Sequence, residues 1–172
     1  WDGNTWSPLG TGMDNPVNAL TTLPNGDLIA GGAFTVADGL AANFLARWDG
    51  SAWSALGTGT DGVALTLTTV PNGDLIAAGN FTMAGAIAAT NIARWDGSMW
   101  TALGTGINGS VLALTTLQGG DLVAAGNYST AGGNPALSIA GWDGSAWAPL
   151  ANGMNSQVRA LMTSPDGSQI AA

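Results

Sequence analysis

Trp48-Asp49-Gly50-Ser51-Ala52-Trp53-Ser54-Ala55-Leu56-Gly57 has counterparts at residues 1–10, 95–104 and 142–151. In each copy Trp-Asp-Gly is followed by a second tryptophan, five residues after the first. The first set is Trp1, Trp48, Trp95 and Trp142, spaced 47 residues apart with no insertion or deletion. The second set is Trp6, Trp53, Trp100 and Trp147, so the two positions account for all 8 tryptophans. A fixed period of roughly 20 to 50 residues is the mark of a solenoid, a propeller or an array. It overrides the single ordinary domain that a length of 172 residues would suggest.

The whole unit from Trp48 to Arg94 reads WDGSAWSALGTGTDGVALTLTTVPNGDLIAAGNFTMAGAIAATNIAR. In the preceding unit, Val17 to Leu23 is a short apolar and Thr-rich run ending at Pro24-Asn25-Gly26-Asp27. Its counterpart Val111 to Leu117 ends at a Gly-Gly turn. Asn-Gly tolerates the two positive φ angles of a type I′ turn, so a tight hairpin is expected. Leu28 to Phe34 is the returning strand, small or apolar on both faces as in a sheet covered on both sides. A Gly- and Ala-rich loop follows from Thr35 to Ala42. A third strand, Asn43 to Trp48, meets a second hairpin signal at Asp49-Gly50, and a fourth, Ala52 to Leu56, ends at Gly57-Thr58-Gly59. No segment carries a helix-length apolar stripe. Four short antiparallel strands in this span have the size of one propeller blade.

The predicted architecture is therefore all-β, a β-propeller of four-stranded antiparallel blades. A β-solenoid coil is shorter and its strands run parallel, whereas two tight turns per unit force antiparallel neighbours. The chain reads as one repeat domain over 1–172. It has a half-unit at 1–10, blades at about 17–57, 64–104 and 111–151, and a half-unit at 158–172. The first half-unit carries the end of strand three and all of strand four. The last carries strand one, the Pro165-Asp166-Gly167 turn and the start of strand two. Four blades result if the two halves pair within one chain. Otherwise the chain is part of a larger ring or array, a fragment, or a unit whose blade is completed by another chain, in a ring or a head-to-tail fibre. Unpaired strand edges make closure matter.

Composition narrows the function. There are 3 Lys plus Arg (all Arg), 11 Asp plus Glu (all Asp), no His and no Cys, for a net charge of −8. Phosphate binding needs clustered Lys and Arg, so nucleic acid is excluded as a partner, and anionic lipid is excluded on the same ground. No apolar run approaches the roughly 18 residues that span a bilayer. Without cysteine there are neither disulfides nor thiolate metal sites. The start at Trp1, with no Met or signal-like segment, reads as a mature product or a fragment. A surface rich in Ser, Thr, Asn, Gly and Asp but free of Lys and Glu points to an extracellular or cell-surface protein.

The runs Leu28-Ile-Ala-Gly-Gly-Ala-Phe-Thr35 and Ala46-Arg-Trp-Asp-Gly-Ser-Ala-Trp-Ser-Ala-Leu-Gly57 resemble the kelch-like repeats of Rax2-type cell-surface proteins and bacterial secreted propellers. The resemblance covers the whole chain. The period is also similar to that of tachylectin-2, a sugar-binding propeller, in repeat length only. What the resemblance implies is an extracellular or surface-bound propeller without catalytic activity. The chain does not resemble a WD40 repeat, because Trp-Asp runs into a Gly turn and no His is present.

The candidate chemistry is weighed against plain structure. Gly57-x-Gly59-x-x-Gly62 and Gly104-x-Gly106-x-x-Gly109 match a dinucleotide fingerprint, which needs a helix after the glycines. A strand follows here, so they read as turns. Asp49, Asp96 and Asp143 sit in the Asp-Gly turns, and Asp27, Asp74 and Asp121 follow the first hairpin. Paired carboxylates could serve acid–base chemistry or calcium, but each has a task in capping a turn. The usual bases and nucleophiles are otherwise missing, so no catalytic, cofactor or metal residue is named. Candidate ligand-binding residues are Trp6, Trp53, Trp100 and Trp147, which could stack on sugar rings, although a recurring aromatic more often fills the core between blades. Asn80 and Asn127 replace Ala33 and could bind a polar ligand; they also complete N-x-S/T sequons, as does Asn108. Arg47 and Asp49 could pair on one strand face, for at most about 1 kcal/mol. The leading expectation is a non-catalytic scaffold or interaction module that self-associates through its terminal half-blades. A lectin with repeated sites between blades is the alternative, and partners are a glycan or a protein.

Overall fold

The computed structural model describes residues 3–164 and 169–171, so Trp1 and the Pro165-Asp166-Gly167 turn lie outside the described residues. The first complete unit holds β1 (Val17–Thr22), β2 (Leu28–Gly32), β3 (Val36–Ala37), β4 (Leu40–Ala41), β5 (Leu45–Trp48) and β6 (Trp53–Ala55). Four of these form one antiparallel sheet in the order β1-β2-β5-β6. The second unit repeats this with β7 (Val63–Thr69), β8 (Leu75–Asn80), β9 (Met83–Ala84), β10 (Ile87–Ala88), β11 (Ile92–Trp95) and β12 (Trp100–Ala102). The third has β13 (Ser110–Thr116), β14 (Leu122–Asn127), β15 (Thr130–Ala131), β16 (Asn134–Pro135), β17 (Ile139–Trp142) and β18 (Trp147–Pro149). A fourth sheet has only β19 (Leu161–Thr163) and β20 (Gln169–Ala171). The chain is an all-β propeller of four-stranded blades.

Three local features differ from the sequence reading. The first hairpin is not a type I′ turn, because Gly26 has φ +92° while Asn25 stays on the ordinary side. Pro24 explains this: its ring presets the first central position of a type I turn, and Gly26 takes the left-handed place after it. The Gly26 N–H donates to the Leu23 carbonyl at 2.9 Å. Second, the loop from Thr35 to Ala42 holds the two-residue hairpin β3–β4, repeated as β9–β10 and β15–β16. Third, the third strand starts two residues late in the first blade, because Phe44 has φ +64°, as do Asn91 (+61°) and Ser138 (+62°) in the other blades.

The blades stack by their apolar faces. Ile29 and Leu45 of the first blade pack with Leu67, Leu75 and Ala77 of the second. Ile76 and Ile92 pack with Val111, Leu122 and Ala124 of the third, and Val123 and Ile139 meet Val158 and Leu161 of the fourth. Each fully buried Ile or Leu contributes about 1.5–3 kcal/mol, so the interfaces dominate stability. The first strand of each complete blade carries a bulge, leaving Asn18, Leu65 and Leu112 unopposed across their partners. These three, with Arg159 at the next repeat position and Gln157, surround one cavity of about 420 Å³. The bulge therefore aims the same position of each unit at a common axis.

The half-units do not share a sheet among the described residues. β19 pairs with β20 alone, and residues 3–12 form no strand. This segment lies on the first blade instead, where the Leu9 carbonyl accepts the indole N–H of Trp53 at 2.9 Å.

Candidate functional site

The two tryptophan series play different parts. Trp53, Trp100 and Trp147 open the fourth strands and are buried, at 5%, 6% and 3% exposure. Trp147 donates its indole N–H to the Leu103 carbonyl of the preceding blade at 2.9 Å, as Trp53 does to Leu9, whereas the Trp100 N–H is buried without a partner. The outer hairpins close over these rings: a Cβ at Gly85 would lie 3.0 Å from Trp100, and one at Gly132 would lie 2.9 Å from Trp147. Trp6, at the same repeat position, is 83% exposed. The first tryptophans Trp48, Trp95 and Trp142 stay half-buried, each tilted against its neighbour with ring centres 5.2–5.5 Å apart. That is the favoured tilted arrangement of aromatic pairs.

The carboxylates are committed to the backbone. Asp49 accepts from Ser51 N–H (2.8 Å), the Ser51 hydroxyl (2.7 Å) and Ala52 N–H (2.9 Å), and Asp96 and Asp143 repeat this in their own turns. The Ala52 N–H, with the Ser51 donors, lowers the Asp49 pKa to about 2, and the N–H groups of Met99 and Ala146 lead the same lowering at Asp96 and Asp143. Arg47 pairs with Asp27 rather than with Asp49, because strand pairing sets Arg47 opposite Ile29, beside that carboxylate. Arg94 likewise meets Asp74 at 3.3 Å. The third blade has Gly141 in place of this arginine.

A third polar series was missed in the sequence. Asp14, Asp61 and Asn108 each bind across to the start of an outer hairpin 21 or 22 residues later. Asp14 accepts from the N–H groups of Thr35 and Val36, Asp61 from Thr82 and Met83, and Asn108 from Ser129 and Thr130. Val36 N–H leads the lowering of the Asp14 pKa; at Asp61, desolvation pushes up but the Thr82 and Met83 donors outweigh it. Their 47-residue spacing was visible, but the partners lie too far along the chain to be read from a motif.

The glycine motifs act as turns. Gly57 and Gly59 have φ +61° and +72°, and a Cβ at Gly59 would stand 2.1 Å from the Asn43 carbonyl. The strand β7 follows, as in the sequence reading. Asn80 and Asn127 end β8 and β14 and are exposed. The hydroxyls of their sequons are engaged, Thr82 with Asp61 and Ser129 with Asn108.

A cleft of about 310 Å³ opens between the second and third blades. Ile76, Leu103, Leu122 and Trp142 form its apolar walls, and Arg94, Asp121 and Asp143 stand among its polar residues. Among the described residues no group of three or more His, Cys, Asp or Glu could hold a metal ion, and no helix is long and apolar enough to cross a membrane.

Repeated four-stranded sheets turning about one axis, with tryptophans between them, define a β-propeller domain. The sequence over residues 72–172 matches the model of the Rax2 C-terminal beta propeller domain. The chain belongs to that family. No curated protein matches it significantly. Among solved structures, the fold resembles the extracellular domain of the one-component system BT4673 from B. thetaiotaomicron, with TM-score 0.63, 8% identity, and coverage of 97% of this chain and 21% of that one. It also resembles a catalytically inactive virginiamycin B lyase from Staphylococcus aureus with quinupristin, with TM-score 0.57, 15% identity, and coverage of 94% and 50%. The computationally designed Ika4 protein gives TM-score 0.61 at 16% identity and covers 98% of both chains. The chain thus spans about a fifth of the first and half of the second of these proteins.

Proposed function

We propose that this domain is a non-catalytic, extracellular interaction module that associates through the open face of its first blade with the fourth sheet of a second copy. One observation carries the reading. Leu20 is 59% exposed on the first blade, while Leu67, at the same position of the second, is 9% exposed beneath the blade before it. The surface around Leu20 includes Leu9, Val17 and Leu28, and the pattern is one that this repeat covers twice over with a neighbouring blade. A contiguous apolar surface of this kind marks an interaction site. The occupant follows from the internal interfaces: Ile29, Ile76 and Val123 are the residues a blade presents to the next one, and β20 is the counterpart of the strands that carry them.

Non-catalytic use is supported by Asp49, Asp96 and Asp143, whose lowered pKa values and filled hydrogen-bond sites are the reverse of what a general acid at neutral pH needs. Extracellular placement is supported by the family and by a composition without Lys or Glu. Light scattering on the wild type and on Leu20→Asp tests the association: copies that stay monomeric at every concentration would overturn it.

A further inference from the structure

We propose that the cleft between the second and third blades is a binding site for one neutral sugar ring. This site is separate from the open face of the first blade and does not depend on association. Its volume, about 310 Å³, stands at the lower end for small-molecule sites, where a mono- or disaccharide is accommodated. The walls are apolar, and half-buried Trp142 is the aromatic surface among them. A pyranose presents just such a C–H face to a tryptophan ring.

The charges disfavour an anionic guest. Arg94 is 44% exposed, and its Nε faces Asp74, which leaves its remaining N–H groups to donate to hydroxyl oxygens. An anion would approach Asp121 and Asp143 on a chain of net charge −8, and Arg94 is already paired with Asp74. A polyhydroxylated ring carries no such penalty.

One substitution within the repeat singles out this cleft. Asn25 and Asn72 bind the Asp two residues on through their side-chain amides, but the third blade has Gly119. Gly119 lines the cleft, its φ is not in the left-handed region, and a Cβ there would meet nothing within 4 Å. Loss of the asparagine therefore widens the cleft on the third-blade side. Gly119→Asn would restore the side chain of the other units without straining the backbone.

Saturation-transfer NMR with glucose, galactose, mannose, N-acetylglucosamine and cellobiose tests the site, with glucuronic acid as the anionic comparison. At least one neutral sugar should bind the wild type. Gly119→Asn should weaken it at least roughly tenfold, or about 1.4 kcal/mol, and Trp142→Leu should abolish it. Gly119→Asn keeps the test decisive where Trp142→Leu fails to fold. No binding by any neutral sugar, undiminished binding in Gly119→Asn, or equal binding of glucuronic acid would overturn the proposal. Leu20→Asp should leave sugar binding intact, so failure here is distinguishable from failure of the association.

Discussion

The three buried tryptophans offer a test in which one interaction changes while the rest is held nearly constant. Trp53, Trp100 and Trp147 occupy the same repeat position, are buried to within a few percent of each other and tilt against equivalent neighbours. Trp→Phe removes the same indole volume from Trp100 and from Trp147. It also deletes a 2.9 Å hydrogen bond to Leu103 at Trp147, and a buried N–H without a partner at Trp100. A net hydrogen bond contributes about 0.5–1.5 kcal/mol, and an unpaired buried donor costs about 1–3 kcal/mol. The shared loss of packing cancels in the difference. Trp147→Phe should therefore destabilise the chain by about 1.5–4.5 kcal/mol more than Trp100→Phe. Equilibrium urea unfolding, followed by circular dichroism and by tryptophan emission, measures both. Coincident transitions are needed, because a repeat array can lose cooperativity. Equal losses at the two sites, or a larger loss at Trp100, would refute the reasoning.

Other predictions are more local. Phe44→Asn should stabilise the chain by about 1 kcal/mol in the same assay, since a bulky residue at positive φ is strained and Asn tolerates it. Asn91 fills the equivalent place with bonds to the Phe81 N–H and the Ile107 carbonyl. An acid titration of stability should stay flat above about pH 5 and fall increasingly steeply below it. Asp49 titrates at about 2 when folded against 3.8 ordinarily, and Asp14, Asp38, Asp61, Asp96 and Asp143 are also lowered. A carboxyl with a depressed folded pKa contributes fully above its unfolded value and loses that contribution as pH falls through the folded one. Circular dichroism melts between pH 2 and pH 6 check this, and a midpoint that rises on acidification would contradict it.

The sequence carried the repeat and the four-stranded sheet because tryptophans and Asp-Gly turns recur at fixed positions. It did not carry the outer hairpins, whose two-residue strands are too short to show alternation, as at Val36–Ala37 and Leu40–Ala41. The Asn25-Gly26 pair suggested one turn type, but the proline before it set another. Among candidate site residues, the second tryptophans drew attention because they recur, yet recurrence is also what an interface between blades produces. Among the half-buried first tryptophans, Trp142 lines the cleft together with Gly119, a departure from the repeat that gains meaning only once both blades are seen together. Asp14 and Asp61 were legible only as spacing, since their partners belong to a different stretch of chain.

Sedimentation velocity over a wide concentration range, on the wild type and on Leu20→Asp, addresses the open first blade most directly. The wild type should shift to larger species as concentration rises, and Leu20→Asp, with an unchanged circular dichroism spectrum, should remain a monomer. A wild type that sediments as a monomer throughout, or a Leu20→Asp variant that associates as well as the wild type, would contradict the account.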